Sequence, residues 1–337
     1  MKYKKLGNSS FEVSVIGQGT WAMGGDTFGD VDVGEAIRTI HAGMDMGINF
    51  IDTAAGYGFN GRSERVVGKA LKGRRDKVIL ETKLGPGRYY SNILDEFAYF
   101  LCLSPQMIRI SLEESLVRLG TDYIDIMMIH WPENNNPLEG AFEELLKMKD
   151  EGKIREIAVS NFNVDQLKLG RDIGKIVAAQ LPLNLLNRAS EKDGTFNFCR
   201  ENNIGIVNYG SLGGGILTGK MEKPVTKGTE ARSTFYTFYE EPLWSMCQEL
   251  LKTLREIADG RGVSVAEVSL NWVLGYPGIT SSLCGACRPE EIIENLKCVD
   301  WELTEEERKI IDQRYDEIFG TIDTNSSFGG QNTAYDE

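Results

Sequence analysis

The chain has 337 residues and sets 37 Lys and Arg against 50 Asp and Glu, a net charge of −13. With 41% hydrophobic and 26% charged residues it can bury an ordinary core, which excludes disordered, collagen-like, coiled-coil and disulfide-scaffold chains. The acidic balance argues against nucleic acid and anionic membranes as partners, and no apolar run approaches the roughly 20 residues that cross a bilayer.

The opening residues, MKYKKLG, lead into no apolar h-region. No secretory signal is read there, and a cytoplasmic location is expected. Residues 3–6 and 11–13 flank Gly7-Asn8-Ser9, which predicts a small hairpin. Eight apolar runs follow, at 15–16, 49–51, 78–80, 124–129, 157–159, 176–179, 206–207 and 279–283. They lack clean alternation, as strands buried on both faces do. Helical spacing recurs between them, at 33–46, 108–119, 141–148 and 292–296. Eight β-α alternations predict a (β/α)8 TIM barrel, with a doubly wound open sheet as the alternative.

Two connections exceed the ~2–6 residues usual in such folds. Residues 84–104 carry Tyr89, Tyr90, Phe97, Tyr99 and Phe100, and residues 211–242 carry Phe235, Tyr236, Phe238 and Tyr239. Both follow strand C-termini, the active face of a barrel, and read as binding lids. The expected organisation is one barrel domain over 1–320 and a polar, flexible tail over 321–337. Cys284 and Cys287 form a C-x-x-C without a second pair or a histidine cluster nearby. They read as ordinary loop cysteines, and no metal site is expected. Of the two histidines, His41 sits on a helix and reads as structural.

The strand ends carry the chemistry. The second run leads into Asp52 and Tyr57, the third ends on Lys83, and the fourth ends on His130. A barrel brings these ends to one mouth. A tyrosine is a poor acid, with a pKa near ~10, unless an ammonium beside it stabilises the phenolate. A buried aspartate holds such an ammonium charged and in place. A histidine can donate to a carbonyl oxygen or share its proton. Together the four would protonate a carbonyl, or deprotonate an alcohol, while a hydride moves at carbon.

These motifs resemble the aldo-keto reductase family. The segments are NFIDTAAGYGFNGRSERVVGKAL at 49–71, ETKLG at 81–85, IDIMMIHWP at 124–132, AVSNF at 158–162, Gln180, YGSLGGGILTGK at 209–220 and RPEEIIENL at 288–296. They span about residues 3–315, and the likeness is greatest to the bacterial branch that handles sugar-like and general aldehydes. The resemblance implies an NAD(P)H-dependent carbonyl reductase with Tyr57 as general acid, tuned by Lys83 and Asp52, and His130 orienting the carbonyl. It implies Ser160, Asn161 and Gln180 on the nicotinamide carboxamide and Tyr209 as the stacking face. Ser211, Leu212, Gly213 and Gly215 would let the backbone approach the pyrophosphate, with Lys220 as a candidate phosphate partner.

At the adenine end Glu294 and Asn295 keep the family's contacts, but the row after the eighth strand reads Gly285-Ala286-Cys287-Arg288. Only Arg288 is basic there, and Glu291 would repel a 2′-phosphate while suiting a ribose 2′-hydroxyl. The expected cofactor is therefore NADP(H) or NAD(H), with NADPH preference weakened. Trp21 and Trp131 would frame the substrate, and Asn134, Asn135 and Asn136 beside them suit a sugar, cyclitol or other polyol. A redox-sensing protein of the same fold, or a lyase or epimerase that oxidises its substrate transiently, would keep the same motifs. The outer helices show no distinctive apolar patch, so the oligomeric state is left open.

Overall fold

The computed structural model describes residues 1–26, 28–85, 87–91, 96–100, 102–133, 135–226, 235–320 and 322, without the side chains of 86–101. The strands are β1 (Tyr3–Lys5), β2 (Glu12–Ser14), β3 (Ile16–Gly19), β4 (Phe50–Asp52), β5 (Ile79–Leu84), β6 (Gly87–Ser91), β7 (Glu96–Phe100), β8 (Ile124–Ile129), β9 (Ile154–Ser160), β10 (Ala178–Pro182), β11 (Gly205–Tyr209) and β12 (Ile279–Gly285). Eight of them, β3, β4, β5, β8, β9, β10, β11 and β12, close into a barrel, and every pairing in it is parallel. The eight apolar runs fall on these eight strands.

Burial on both faces explains why the runs do not alternate. In β8, Ile126 and Met128 point into the barrel with Phe50, Ala158, Val207 and Leu283. Met127 and Ile129 point outward and pack under the helices with Leu112, Leu116, Leu145 and Met148. Those helices begin where short polar side chains take up their free N–H groups. Asp32 accepts from Glu35 ahead of Val33–Asp45, and Ser104 accepts from Met107 ahead of Pro105–Leu119. His41 Nε2 lies 2.8 Å from the carbonyl of Ala70 and ties Val33–Asp45 to Arg62–Ala70, the structural role expected of it.

The hairpin β1–β2 is antiparallel and closes the N-terminal end of the barrel. Leu6 and Val13 are fully buried among Phe50, Ile126, Val177 and Val207. Between them Gly7 has φ +50°, and a Cβ there would lie 2.2 Å from the carbonyl oxygen of Val177. Gly7→Ala should therefore cost about 2–4 kcal/mol of stability, through strain and a backbone clash with no flexible neighbour to yield. Urea unfolding checks this, and a loss under about 0.5 kcal/mol would mean that the plug is loosely seated. With this end plugged, the opposite mouth is the one open to ligands.

The connection 84–104 holds a feature the sequence does not announce, the antiparallel pair β6–β7. The side chains of its aromatics Tyr89, Tyr90, Phe97, Tyr99 and Phe100 lie outside the described residues. In the connection 211–242, short 3₁₀ turns form at Gly213–Thr218 and Thr237–Tyr239, and residues 227–234 lie outside the description. Of the tail expected after residue 320, only Ile322 is described. Cys284 is not a loop residue: it is buried on β12, and Cys287 follows half-buried. Burial pushes the Cys284 thiol up to about 12 and the Cys287 thiol up to about 11. Among the described residues no cluster could hold a metal ion, and no helix is long and apolar enough to cross a membrane.

Candidate active site

Asp52 ends β4, Lys83 lies near the end of β5, and His130 directly follows β8. These three neighbouring strand ends, with the loop that carries Tyr57, form one cluster at the open mouth. Lys83 is fully buried, where an isolated ammonium would be very costly. Its three N–H groups have three acceptors: the Asp52 carboxylate, the Thr53 carbonyl at 3.0 Å and the Tyr57 hydroxyl at 3.1 Å. The Tyr57 oxygen accepts from Lys83, so its own O–H is free to donate elsewhere. Burial raises the Tyr57 hydroxyl above its ordinary 10.0, with the Lys83 charge opposing the rise and Asp52 adding to it. For Lys83 burial alone would lower the ammonium, but the acidic groups beside it, Asp52 first, raise it above 10.5.

His130 sits edge-on to Tyr57, with ring centroids 5.7 Å apart. Its Nδ1 lies 3.0 Å from the carbonyl of Gly85, and a carbonyl can only accept, so Nδ1 carries the hydrogen. Burial and then the Lys83 charge hold the ring well below its ordinary 6.5. At neutral pH the imidazole is therefore neutral and Nε2 is an acceptor. The sequence reading let His130 donate to a carbonyl oxygen or share its proton; here its one N–H is engaged with Gly85, which leaves Nε2 as the nitrogen available to a ligand.

One buried group escaped the sequence reading. Glu81, in register with Asp52, is 0% exposed. Gln180 Nε2 donates both to Asp52 Oδ1 at 3.0 Å and to Glu81 Oε1 at 2.7 Å. The signal was present in Glu81-Thr82-Lys83: residues i and i+2 of a strand share a face, so a charge facing inward at 83 implies another at 81.

On the cofactor side, Ser160, Asn161, Gln180 and Tyr209 do come together. Asn161, at φ +62°, donates to the His130 carbonyl and to Ser160 Oγ, both at 3.0 Å. It accepts from the Tyr209 hydroxyl at 2.7 Å. Ser160 donates to the Gln180 carbonyl at 3.0 Å. The side-chain donors of this trio are thus engaged within the protein, and the Gln180 carbonyl Oε1 is left as an acceptor for an amide NH₂. Gly210, Gly213, Gly214 and Gly215 all have positive φ beside the half-buried Tyr209, and the Gly213 and Gly215 N–H groups turn back onto the Gly210 and Leu212 carbonyls at 2.8 and 3.0 Å, so the backbone forms a tight turn without side chains in the way of a ligand. The Ser211 hydroxyl does not face this loop's surface. It is buried against Ser282 at 2.9 Å and Leu283 at 2.8 Å, so any contact from Ser211 is through its backbone. Leu212 is half-buried against the outer core at the start of the glycine turn. An aromatic platform, an amide acceptor and a glycine turn that leaves room for a close approach, in one row, fit a nicotinamide dinucleotide.

Farther along, Lys220 bridges to Glu294 at 2.9 Å. Arg288 Nη2 pairs with Glu291 Oε1 at 2.6 Å, while Glu291 Oε2 accepts the backbone N–H of Cys287 at 2.9 Å. Asn295 is buried beside the Cys284 thiol. On the substrate side, Trp21 stacks 6.1 Å from Tyr57 and touches Phe235 edge-on, while Trp131 stacks 6.3 Å from His130. Asn136 donates to Glu133 at 2.5 Å, and Asn134 lies outside the described residues.

Comparison with known proteins gives a uniform result. The model of the Aldo/keto reductase family matches residues 15–316. An aldo-keto reductase of Bacillus subtilis (strain 168) is 38% identical over 315 residues, covering 92% of each chain. An NADH-specific methylglyoxal reductase of Escherichia coli (strain K12) is 34% identical over 316 residues, covering 90% of this chain and 95% of its own. The solved structure of a glycerol dehydrogenase from Gluconobacter oxydans superposes with a TM-score of 0.84 at 34% identity, over 94% of this chain and 95% of that one.

Proposed function

The chain belongs to the aldo-keto reductase family and is a nicotinamide-dependent oxidoreductase, and from that premise we propose that Tyr57 is its general acid and that its preference for NADPH is weakened in favour of NADH. The observation that carries the first part is the buried Lys83 ammonium, which joins Asp52 to Tyr57 at the open mouth of the barrel. When bound, the nicotinamide supplies or receives the hydride. Tyr57 donates its free O–H to the carbonyl oxygen, and the resulting phenolate sits beside Lys83. Asp52 keeps that ammonium in place. His130 Nε2 accepts a hydroxyl of the substrate or product. Trp21 and Trp131 wall the mouth. Because Tyr57 is held above 10.0, it is protonated throughout the neutral range, which serves reduction. Alcohol oxidation needs the phenolate and should rise with pH.

An accepting His130 between aromatic walls supports a small carbonyl compound that also bears hydroxyl groups, or the matching polyol. Two of the relatives are named for methylglyoxal and glycerol, which is consistent with small oxygen-rich substrates. The cofactor preference rests on Arg288. Its guanidinium is already paired with Glu291, so a 2′-phosphate would have to displace a carboxylate. The NADH-specific relative points the same way.

The test is titration of the purified protein with NADH and NADPH, read by quenching of Trp21 and Trp131. Micromolar binding of NADH is expected, and binding of neither would sink the reading. Glu291→Gln should raise the NADPH:NADH ratio of kcat/KM about tenfold, roughly 1.4 kcal/mol. The amide oxygen can still accept from Cys287 and Arg288, so the helix start is preserved. A wild-type ratio above ~10² would show that a full phosphate clamp exists despite Glu291.

A further inference from the structure

Glu81 has no part in the roles above. It lies on β5 two residues before Lys83 and opposite Asp52 on β4, so the three side chains enter the barrel together. Gln180 reaches them from β10 and divides the hydrogens of one nitrogen between Asp52 and Glu81. Two carboxyl groups are thereby held side by side where water does not reach.

The charges around Glu81 can be counted element by element. Asp52 comes from β4, Lys83 from β5 itself, and Tyr57 from the loop after β4. From β10 comes only the neutral Gln180. From β8 the interior side chains Ile126 and Met128 are apolar; on β9 Ala158 stands between the neutral hydroxyl of Ser160 and Glu156, whose carboxylate is paired with Lys149. One ammonium therefore faces two carboxyl groups, and two adjacent carboxylates in a dry site do not both stay ionised. Asp52 is the one bonded to Lys83, which leaves the proton to Glu81. The second oxygen, Glu81 Oε2, is buried and has no donor directed at it. As a carboxylate oxygen it would be orphaned; as a hydroxyl it has Asp52 to donate to.

We propose that Glu81 is a positioning residue, held as a neutral carboxylic acid whose O–H donates to Asp52 and so sets how strongly Lys83 acts on Tyr57. Burial first, and then the Asp52 charge, hold its carboxyl well above the ordinary 4.5. A hydrogen bond from Glu81 draws charge from Asp52, loosens its hold on the ammonium and leaves more of that positive charge for the Tyr57 phenolate. If Glu81 were ionised, the same cluster would carry one more negative charge when Tyr57 deprotonates. Glu81 also fixes the Gln180 amide with nitrogen inward and carbonyl outward.

The role toward Tyr57 rests on the reductase reading, whereas the protonation state does not. Infrared difference spectra, wild type minus Glu81→Gln at neutral pH, should show the C=O stretch of a protonated carboxylic acid that the variant lacks. Bands of an ionised carboxylate alone would overturn the proposal. In alcohol oxidation, Glu81→Gln retains a neutral donor to Asp52 and should leave the alkaline limb of the pH profile in place. Glu81→Leu removes the donor. It should move that limb to higher pH and lower the neutral rate about tenfold. A limb unmoved in Glu81→Leu would reduce Glu81 to packing and overturn the positioning role. A protein that shows the acid band but turns over no carbonyl or alcohol would sink the reductase reading while supporting the neutral Glu81.

Discussion

Replacing Tyr57 by phenylalanine should lower kcat/KM for carbonyl reduction by about 10²–10⁴, the range a positioned proton donor supplies. The substitution removes one oxygen from a ring that is otherwise retained. Its neighbours Trp21, at 6.1 Å, and His130, at 5.7 Å, still pack against it. Lys83 loses one of three acceptors and keeps Asp52 and the Thr53 carbonyl, so the ammonium is not stranded. Binding of NADH, followed by tryptophan quenching, should therefore change little while kcat collapses. A tenfold loss or less would mean that the proton comes from elsewhere. The neutral His130 is a poor substitute, because its one N–H is committed to Gly85. Loss of binding together with turnover would instead point to a role for the hydroxyl in building the pocket.

The architecture was legible because burial on two faces leaves apolar runs, and all eight runs mark barrel strands. Where a strand is built from small residues the signal fades. β3 reads Ile-Gly-Gln-Gly, and only its first residue is apolar. Gly17 is required there, since a Cβ would come within 2.9 Å of Phe50 and Leu283 inside the barrel. The pair β6–β7 was hidden because its residues, Gly-Arg-Tyr-Tyr-Ser and Glu-Phe-Ala-Tyr-Phe, do not alternate apolar with polar as a strand signal would. The cluster of Asp52, Tyr57, Lys83 and His130 was legible from strand ends alone, since a barrel brings those ends together whatever their separation in sequence. What stayed hidden was hydrogen-bond direction. That His130 accepts depends on where the Gly85 carbonyl points, and that Asn161 and Ser160 have spent their donors depends on backbone turns no spacing reveals. Glu81 stayed hidden because a lone acidic residue in a strand reads as solvated until its neighbours are known to be inside.

Lys83→Met should abolish turnover as thoroughly as loss of Tyr57, and should also cost about 3–5 kcal/mol of stability, because it leaves a buried carboxylate without its cation. The pH dependence separates this from a packing defect. Lys83 is held above 10.5 in the folded protein, so its contribution is fully present below that pH and is lost only as pH rises through the folded value. The variant behaves differently. Without the ammonium, Asp52 and Glu81 are two carboxyl groups around one Gln180 amide, and the fold becomes tolerable only when both are protonated. Folding of the variant then takes up a proton that the unfolded carboxyl, with a pKa near ~3.9, releases above that pH. The stability deficit relative to wild type should be smallest in acid, widen as pH rises to neutrality and narrow again when wild-type Lys83 deprotonates. Denaturant midpoints across that range measure it. A deficit that is flat with pH would show that methionine merely packs badly, and that the buried charge balance at the base of this site is not what holds it.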